Sequence, residues 1–174
     1  MKVRDDARSR VYAAEDACFA ETLYCEALGM AGVSSLADHL FTDRWWVANV
    51  ARYPTVEPTR RESRHSYADA ARLVIRLDLT AENCAVLAHE SAHIAAAALF
   101  RDGPLAPHGP EFRAVMADVT RLLCGPAAAD RLVRSYRDHG LDTPARTWPE
   151  PTTGHDRGIY GRWRLERTSP RPLS

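Results

Sequence analysis

The sequence predicts an α+β domain in which a small, few-stranded sheet of antiparallel type packs on one central helix, with two to three further helices around it. Three observations carry this reading. Residues 71–78 alternate apolar and polar side chains with the period of a half-buried strand. Residues 81–101 are apolar on nearly every face, as a helix through the middle of a domain must be. Beyond Pro110, the residues Phe112, Val115, Met116, Val119, Leu122 and Leu123 form a clean helical stripe.

A chain of 174 residues has room for one compact domain with a real core, and 45% apolar against 26% charged residues is the balance of a globular protein. Lys plus Arg and Asp plus Glu both number 23, so the formal net charge is +0 and no overall basic field gathers nucleic acid or acidic membrane. The start, Met1-Lys2-Val3-Arg4-Asp5-Asp6, leads into no apolar run long enough for a secretion signal or a membrane span, which makes the cytoplasm the expected location and a membrane partner unexpected. Cys18, Cys25, Cys84 and Cys124 are dispersed without a C-x-x-C pair and are expected as small core residues, not as a zinc ribbon or a disulfide framework.

Along the chain, Val11, Ala14, Cys18, Phe19, Thr22, Leu23 and Leu28 predict a first amphipathic helix over residues 11–28, broken by Gly29 and Gly32. A short helical turn follows at 34–41, and the β-favouring run Trp45-Trp46-Val47 predicts a strand over 45–51. Residues 53–66 carry Pro54 and Pro58 without periodicity and predict a loop. The strand at 71–78 leads to Thr80, which is placed to cap the central helix at 81–101. The helix that starts at Pro110 ends at Gly125-Pro126, and a last helix over 127–139 stops at Gly140. Residues 1–142 thus form the domain, and 143–174, rich in Pro, Gly and Arg, are expected as a flexible tail that builds no packed element.

The chemistry lies in His89-Glu90-Ser91-Ala92-His93. Residues four apart on a helix stand one above the other, so His89 and His93 present two imidazoles to one metal ion. Glu90 projects about 100° around the helix from His89, beside the ion, where its carboxylate can take a proton from a water that the metal activates. A hydrolytic zinc site needs a third protein ligand and an open position, and His108, at the lip of the following helix, supplies it. Phe112 anchors that helix in the core and so fixes where His108 points. Singly, such residues are ordinary hydrogen-bonded histidines and a solvated glutamate. Together, inside an apolar helix and directly after a strand, they meet the structural conditions for a zinc hydrolase.

His89-Glu90-Ser91-Ala92-His93 and His108-Gly109-Pro110-Glu111-Phe112 resemble the SprT-like zinc metallopeptidases, whose pattern is H-E-x-x-H followed after a short loop by H-G-x-x-F; the likeness covers about residues 73–123. In outline the chain is also similar to small actinobacterial metallohydrolases with this motif set. The resemblance implies a small zincin-like fold, Zn²⁺ held by His89, His93 and His108, Glu90 as general base, and a protein or peptide substrate. Some members of that family cleave proteins crosslinked to DNA with the help of additional DNA-binding modules, and this chain has no second zinc module of paired cysteines.

Strand 71–78 is expected at a sheet edge, where an extended peptide could pair with it. Tyr136, His139, Arg134 and the 53–66 segment are the candidates for stabilising an oxyanion. His39, His65, His139 and His155 have no partners at ligand spacing. Two alternatives remain open: an amidase or esterase acting on a non-peptide substrate, and a non-catalytic zinc module that binds nucleic acid through Arg157, Tyr160, Arg162, Trp163, Arg164 and Arg167 of the tail.

Overall fold

A computed structural model describes residues 5–59, 65–101 and 105–168. Among them are seven α-helices, α1 (Arg8–Phe19), α2 (Gly29–Phe41), α3 (Arg44–Asn49), α4 (Cys84–Leu99), α5 (Pro110–Cys124), α6 (Pro126–Asp138) and α7 (Gly158–Thr168). Three short strands, β1 (Thr55–Pro58), β2 (Tyr67–Asp69) and β3 (Val74–Leu77), form one sheet in the order β1-β3-β2. The fold is α+β, as the sequence predicts. The sheet is mixed, however: β1 runs parallel to β3 and β2 antiparallel to it. β3 buries Ile75 and Leu77 on alternate positions as its pattern requires. It is the central strand, so the free edges belong to β1 and β2 and not to the expected 71–78 segment.

The first half of the chain departs most from the sequence reading. The expected helix over 11–28 ends at Phe19, after which Glu21 takes φ 59° and a 3-10 turn covers Leu23–Cys25. Gly29 and Gly32 do not stop a helix, because α2 begins at Gly29 and runs through Gly32. A Cβ on Gly32 would stand 3.0 Å from that of Leu28, a tight approach, and 3.7 Å from the Trp163 ring, an ordinary contact. The Trp45-Trp46 run is helical in α3, not extended. Asp43 caps that helix by accepting from the Trp45 backbone N–H at 2.8 Å. The reason is packing: Trp45 and Trp46 are both buried, and a strand would send neighbouring side chains to opposite faces. On a helical turn both indoles reach the core, with their N–H groups donating to the carbonyls of Pro149 and Arg52 at 2.6 Å each. β1 falls within the expected 53–66 loop, where Pro58 is tolerated at the end of an edge strand; residues 60–64 of that loop lie outside the described residues.

The second half follows the sequence closely until residue 143. α5 and α6 lie where the apolar stripes place them, joined at Gly125 with φ 90°. The segment expected to form no packed element contains α7, which buries Ile159, Tyr160 and Trp163. Tyr160 donates to the Leu23 carbonyl at 3.0 Å and Trp163 to the Ser35 hydroxyl at 3.1 Å. The two rings offered as a stacking surface for nucleic acid are therefore core residues, Trp163 at the contact of α7 with α2 and Tyr160 against the 3-10 turn. Gly125 and Gly158 make this docking possible: a Cβ on Gly158 would lie 2.4 Å from the Leu122 carbonyl oxygen, and one on Gly125 1.9 Å from that of Asp156. Cys18, Cys84 and Cys124 are buried as expected, Cys25 is exposed, and all four are free thiols.

Candidate metal centre

α4 begins at Cys84, later than Thr80 would place it. Thr80 is not the cap: its N–H and hydroxyl both turn back to the Asp78 carboxylate. Asn83 caps instead, accepting from the Val86 N–H at 2.9 Å. The helix is buried on most sides, with Leu87, Ala88, Ala92 and Ala95 at 0% exposure, and that environment takes His89 and Glu90 with it. His108 arrives on the turn before α5, where Gly109 is required by space: a Cβ there would stand 2.9 Å from that of Ala106. The buried Arg113 guanidinium donates to the His108 carbonyl at 2.9 Å and to the Asp142 carbonyl at 2.8 Å, so the ligand-bearing turn is tied down from within α5.

The three predicted ligands meet. His89, His93 and His108 each offer a ring nitrogen, all within 4.8 Å of one another. His89 Nε2 lies 3.2 Å from His93 Nε2 and 3.3 Å from His108 Nε2. Metal–nitrogen bonds of about 2.0–2.1 Å at tetrahedral angles place ligand nitrogens about 3.3–3.4 Å apart, so the observed spacing fits one ion. Phe112 supports all three imidazoles, with ring centroids 5.1, 4.4 and 5.1 Å from those of His89, His93 and His108.

Two of the rings are oriented from behind by carboxylates. Glu15 of α1, itself buried, meets His89 Nδ1 at 2.7 Å through one oxygen and accepts the Tyr136 hydroxyl at 2.7 Å through the other. Asp5 meets His108 Nδ1 at 2.7 Å. A carboxylate on Nδ1 fixes the tautomer that leaves the Nε2 lone pair for a metal and makes it a better donor. Burial works against charge on His89, but the Glu15 carboxylate outweighs it and raises that group. His108 is lowered by burial against the pull of Asp5, and His93 is pushed down to about 2 by burial and its two histidine neighbours. His93 is thus a neutral imidazole at any ordinary pH, ready as a ligand.

Glu90 does not join the nitrogen cluster. Its buried carboxyl is pushed up to about 7, chiefly by burial, with His89 opposing the rise and the Glu15 charge adding to it. It opens, with His89, on a cavity of about 710 Å³ whose walls include Arg8, Tyr12, Phe19, Ser66 and Val86. A general base near neutrality beside an open cleft can both take and return a proton.

The structure brings His89, His93 and His108 together and sets Glu90 beside His89 on the cavity; Glu15, Asp5, Arg113 and Tyr12, which adjoin the cluster, were not singled out by the sequence. Glu15 carried a signal: it stands on the apolar face of α1 between Val11 and Cys18, where a charge needs a partner. The expected oxyanion candidates fare differently. Tyr136 is fully buried and committed to Glu15, His139 donates through Nδ1 to the Ser135 carbonyl at 2.8 Å, and Arg134 is exposed outside the cavity. From the 53–66 segment, His65 and Ser66 line the cavity. His155 accepts the Arg157 N–H at 3.0 Å and takes no part in the cluster.

Residues 50–132 match the model of the SprT-like family. The matched stretch holds the whole sheet, α4, α5 and the start of α6, and leaves α1, α2, α3 and α7 outside. No curated protein and no solved structure gives a significant match. No helix among the described residues is long and apolar enough to cross a membrane.

Proposed function

From a chain that carries a SprT-like domain over residues 50–132, we propose a zinc metallopeptidase in which Glu90 assists the attack of water on a peptide bond. The observation that carries this is the convergence of three Nε2 atoms within hydrolytic-site spacing, with a buried carboxyl at about 7 next to them. Three imidazoles and an open side suit zinc better than the harder divalent cations. Zn²⁺ held by His89, His93 and His108 would lower the pKa of a water to near 7 and polarise the substrate carbonyl.

The chain supplies the rest. Glu15 and Asp5 hold the Nδ1 protons of His89 and His108, so neither ring can turn away from the site. Glu90 accepts the proton of the attacking water at its carboxylate and gives it to the leaving amine. The outer edge of β2 is the sheet edge nearest to Glu90, where an extended peptide can add as a strand and bind by its backbone. With Tyr160 and Trp163 in the core, a peptide is a better-supported partner than nucleic acid stacked on α7.

The test is Glu90→Gln in full-length protein. It should retain one zinc per chain by metal analysis and lose hydrolysis of a denatured protein substrate by about 10²–10⁴-fold. Wild-type turnover in this variant would refute the mechanism. Cleavage of small amides or esters but of no peptide would move the substrate class away from peptides.

A further inference from the structure

α1 lies outside the matched family stretch, yet it covers the metal-ligand cluster. It contributes more than Glu15. The Tyr12 ring stacks on His89 with centroids 5.2 Å apart at 21°, and tilts onto His108 at 5.3 Å. Phe112 packs on the same imidazoles and is fully buried, whereas Tyr12 is 38% exposed and lines the cavity with His89 and Glu90. One turn earlier, Arg8 places its guanidinium 5.5 Å from the Tyr12 ring centroid, and its charge opposes the rise that burial imposes on the phenol. The Tyr12 O–H has no acceptor of its own among the described residues.

We propose that Tyr12 is a catalytic residue of this site, its hydroxyl donating a hydrogen bond to the substrate carbonyl oxygen as that oxygen gains negative charge, with the Arg8 guanidinium beside its ring. The assignment rests on the metallopeptidase reading above. A guanidinium charge next to a phenol makes the phenol proton a stronger hydrogen-bond donor. Stacking on His89 removes the freedom of the ring, so the donor is in place before charge develops, which is the requirement for stabilising a transition state. The proton stays on Tyr12 throughout, and the only proton that moves is the one Glu90 carries. The placement also accounts for an exposed tyrosine on a helix whose neighbouring positions Val11, Ala14 and Glu15 are buried. Its ring packs on two of the clustered histidines, and the residue lines the cleft.

The experiment uses zinc-reconstituted full-length protein and two inert probes. One is a phosphinic peptide, whose tetrahedral oxygens imitate the oxyanion. The other is a thiol peptide, which presents sulfur and no such oxygen. Tyr12→Phe, which keeps the ring stack, should weaken the phosphinic probe by about 10²-fold and lower kcat by a similar factor, with KM, thiol-probe affinity, zinc content and Tm as in the wild type. Arg8→Met should show the same selective loss at a smaller size. Equal affinity of wild type and Tyr12→Phe for the phosphinic probe, with equal kcat, would overturn the assignment and leave Tyr12 as a stacking platform. Zinc-loaded wild type that binds neither probe and cleaves no peptide would instead refute the metallopeptidase reading, and the role of Tyr12 with it.

Discussion

Glu15→Gln removes a charge and keeps a side chain of the same shape, so its effect isolates what the carboxylate does. Glu15 gives one oxygen to His89 Nδ1 and the other to the Tyr136 hydroxyl, each at 2.7 Å and both in buried surroundings. An amide has a single acceptor oxygen, so one of these two donors must go without. A buried donor left unpaired costs about 1–3 kcal/mol. At about 1.4 kcal/mol per factor of ten this is between about five- and a hundredfold in an equilibrium constant, the same range as loss of a partner behind a metal-bound histidine. Where His89 loses its acceptor, the deficit appears as weaker zinc binding. Where Tyr136 loses it, the metal-free protein is less stable. Glu15→Ala strands both donors and should show both deficits. Zinc affinity by competition with a chromophoric chelator, and urea unfolding in the presence of EDTA, read the two separately. If both variants bind zinc within twofold of the wild type and unfold at the wild-type urea concentration, Glu15 does not orient the site and the argument fails.

Two further predictions concern the scaffold. Gly158→Ala places a methyl group 2.4 Å from the Leu122 carbonyl oxygen at a residue with φ 60°. The left-handed conformation alone costs about 1–2 kcal/mol, and the backbone contact must also open, so chemical denaturation should show a loss of about 2 kcal/mol or more; wild-type stability would contradict the tight docking of α7. Asp118 is fully buried, accepts the Trp148 indole N–H at 2.7 Å and lies 3.1 Å from the Arg146 guanidinium, yet burial outweighs both and raises its carboxyl above 3.8. A carboxyl raised on folding binds its proton more tightly in the native state. Its contribution is therefore complete below the unfolded pKa and is lost as pH rises through the folded one. Asp118→Asn should flatten the pH dependence of stability above about pH 4, and unchanged slopes in matched urea titrations from pH 4 to 7 would refute this.

What the sequence made legible is what local spacing determines. His89 and His93 share a helix face because four residues make about one turn, and Glu90 is separated from them by the same arithmetic. Phe112 and His108 were linked because Pro110 starts a helix whose stripe was unbroken. The α3 indoles were read as strand for the opposite reason: their β preference is a packing preference, and the core could be reached from a helical turn capped by Asp43. α7 was hidden by composition. Gly158 and Gly161 look like breakers, but Gly158 serves the backbone contact with the α5–α6 corner, and a Cβ on Gly161 would fall 2.6 Å from the His155 ring.

The groups that sequence could not supply are those joined over long separations. Glu15 reaches His89 across 74 residues, and Asp5 reaches His108 across 103. No periodicity encodes such a pairing, because it exists only once α1, packed along α6, and the residues before it come up to the histidine cluster. A charged residue on an apolar helix face is nonetheless readable as an unpaid obligation, and a histidine motif in an apolar helix is another. Each needs a buried partner of opposite or complementary character. Glu15 and His89 satisfy one another, and Tyr136, fully buried on α6, satisfies the remaining oxygen. The consequence is that the contacts around the candidate site extend beyond the family stretch. Residues 50–132 contain the three clustered histidines and Glu90, while α1 contains Glu15 behind His89 and Tyr12, the residue proposed to meet the substrate oxygen.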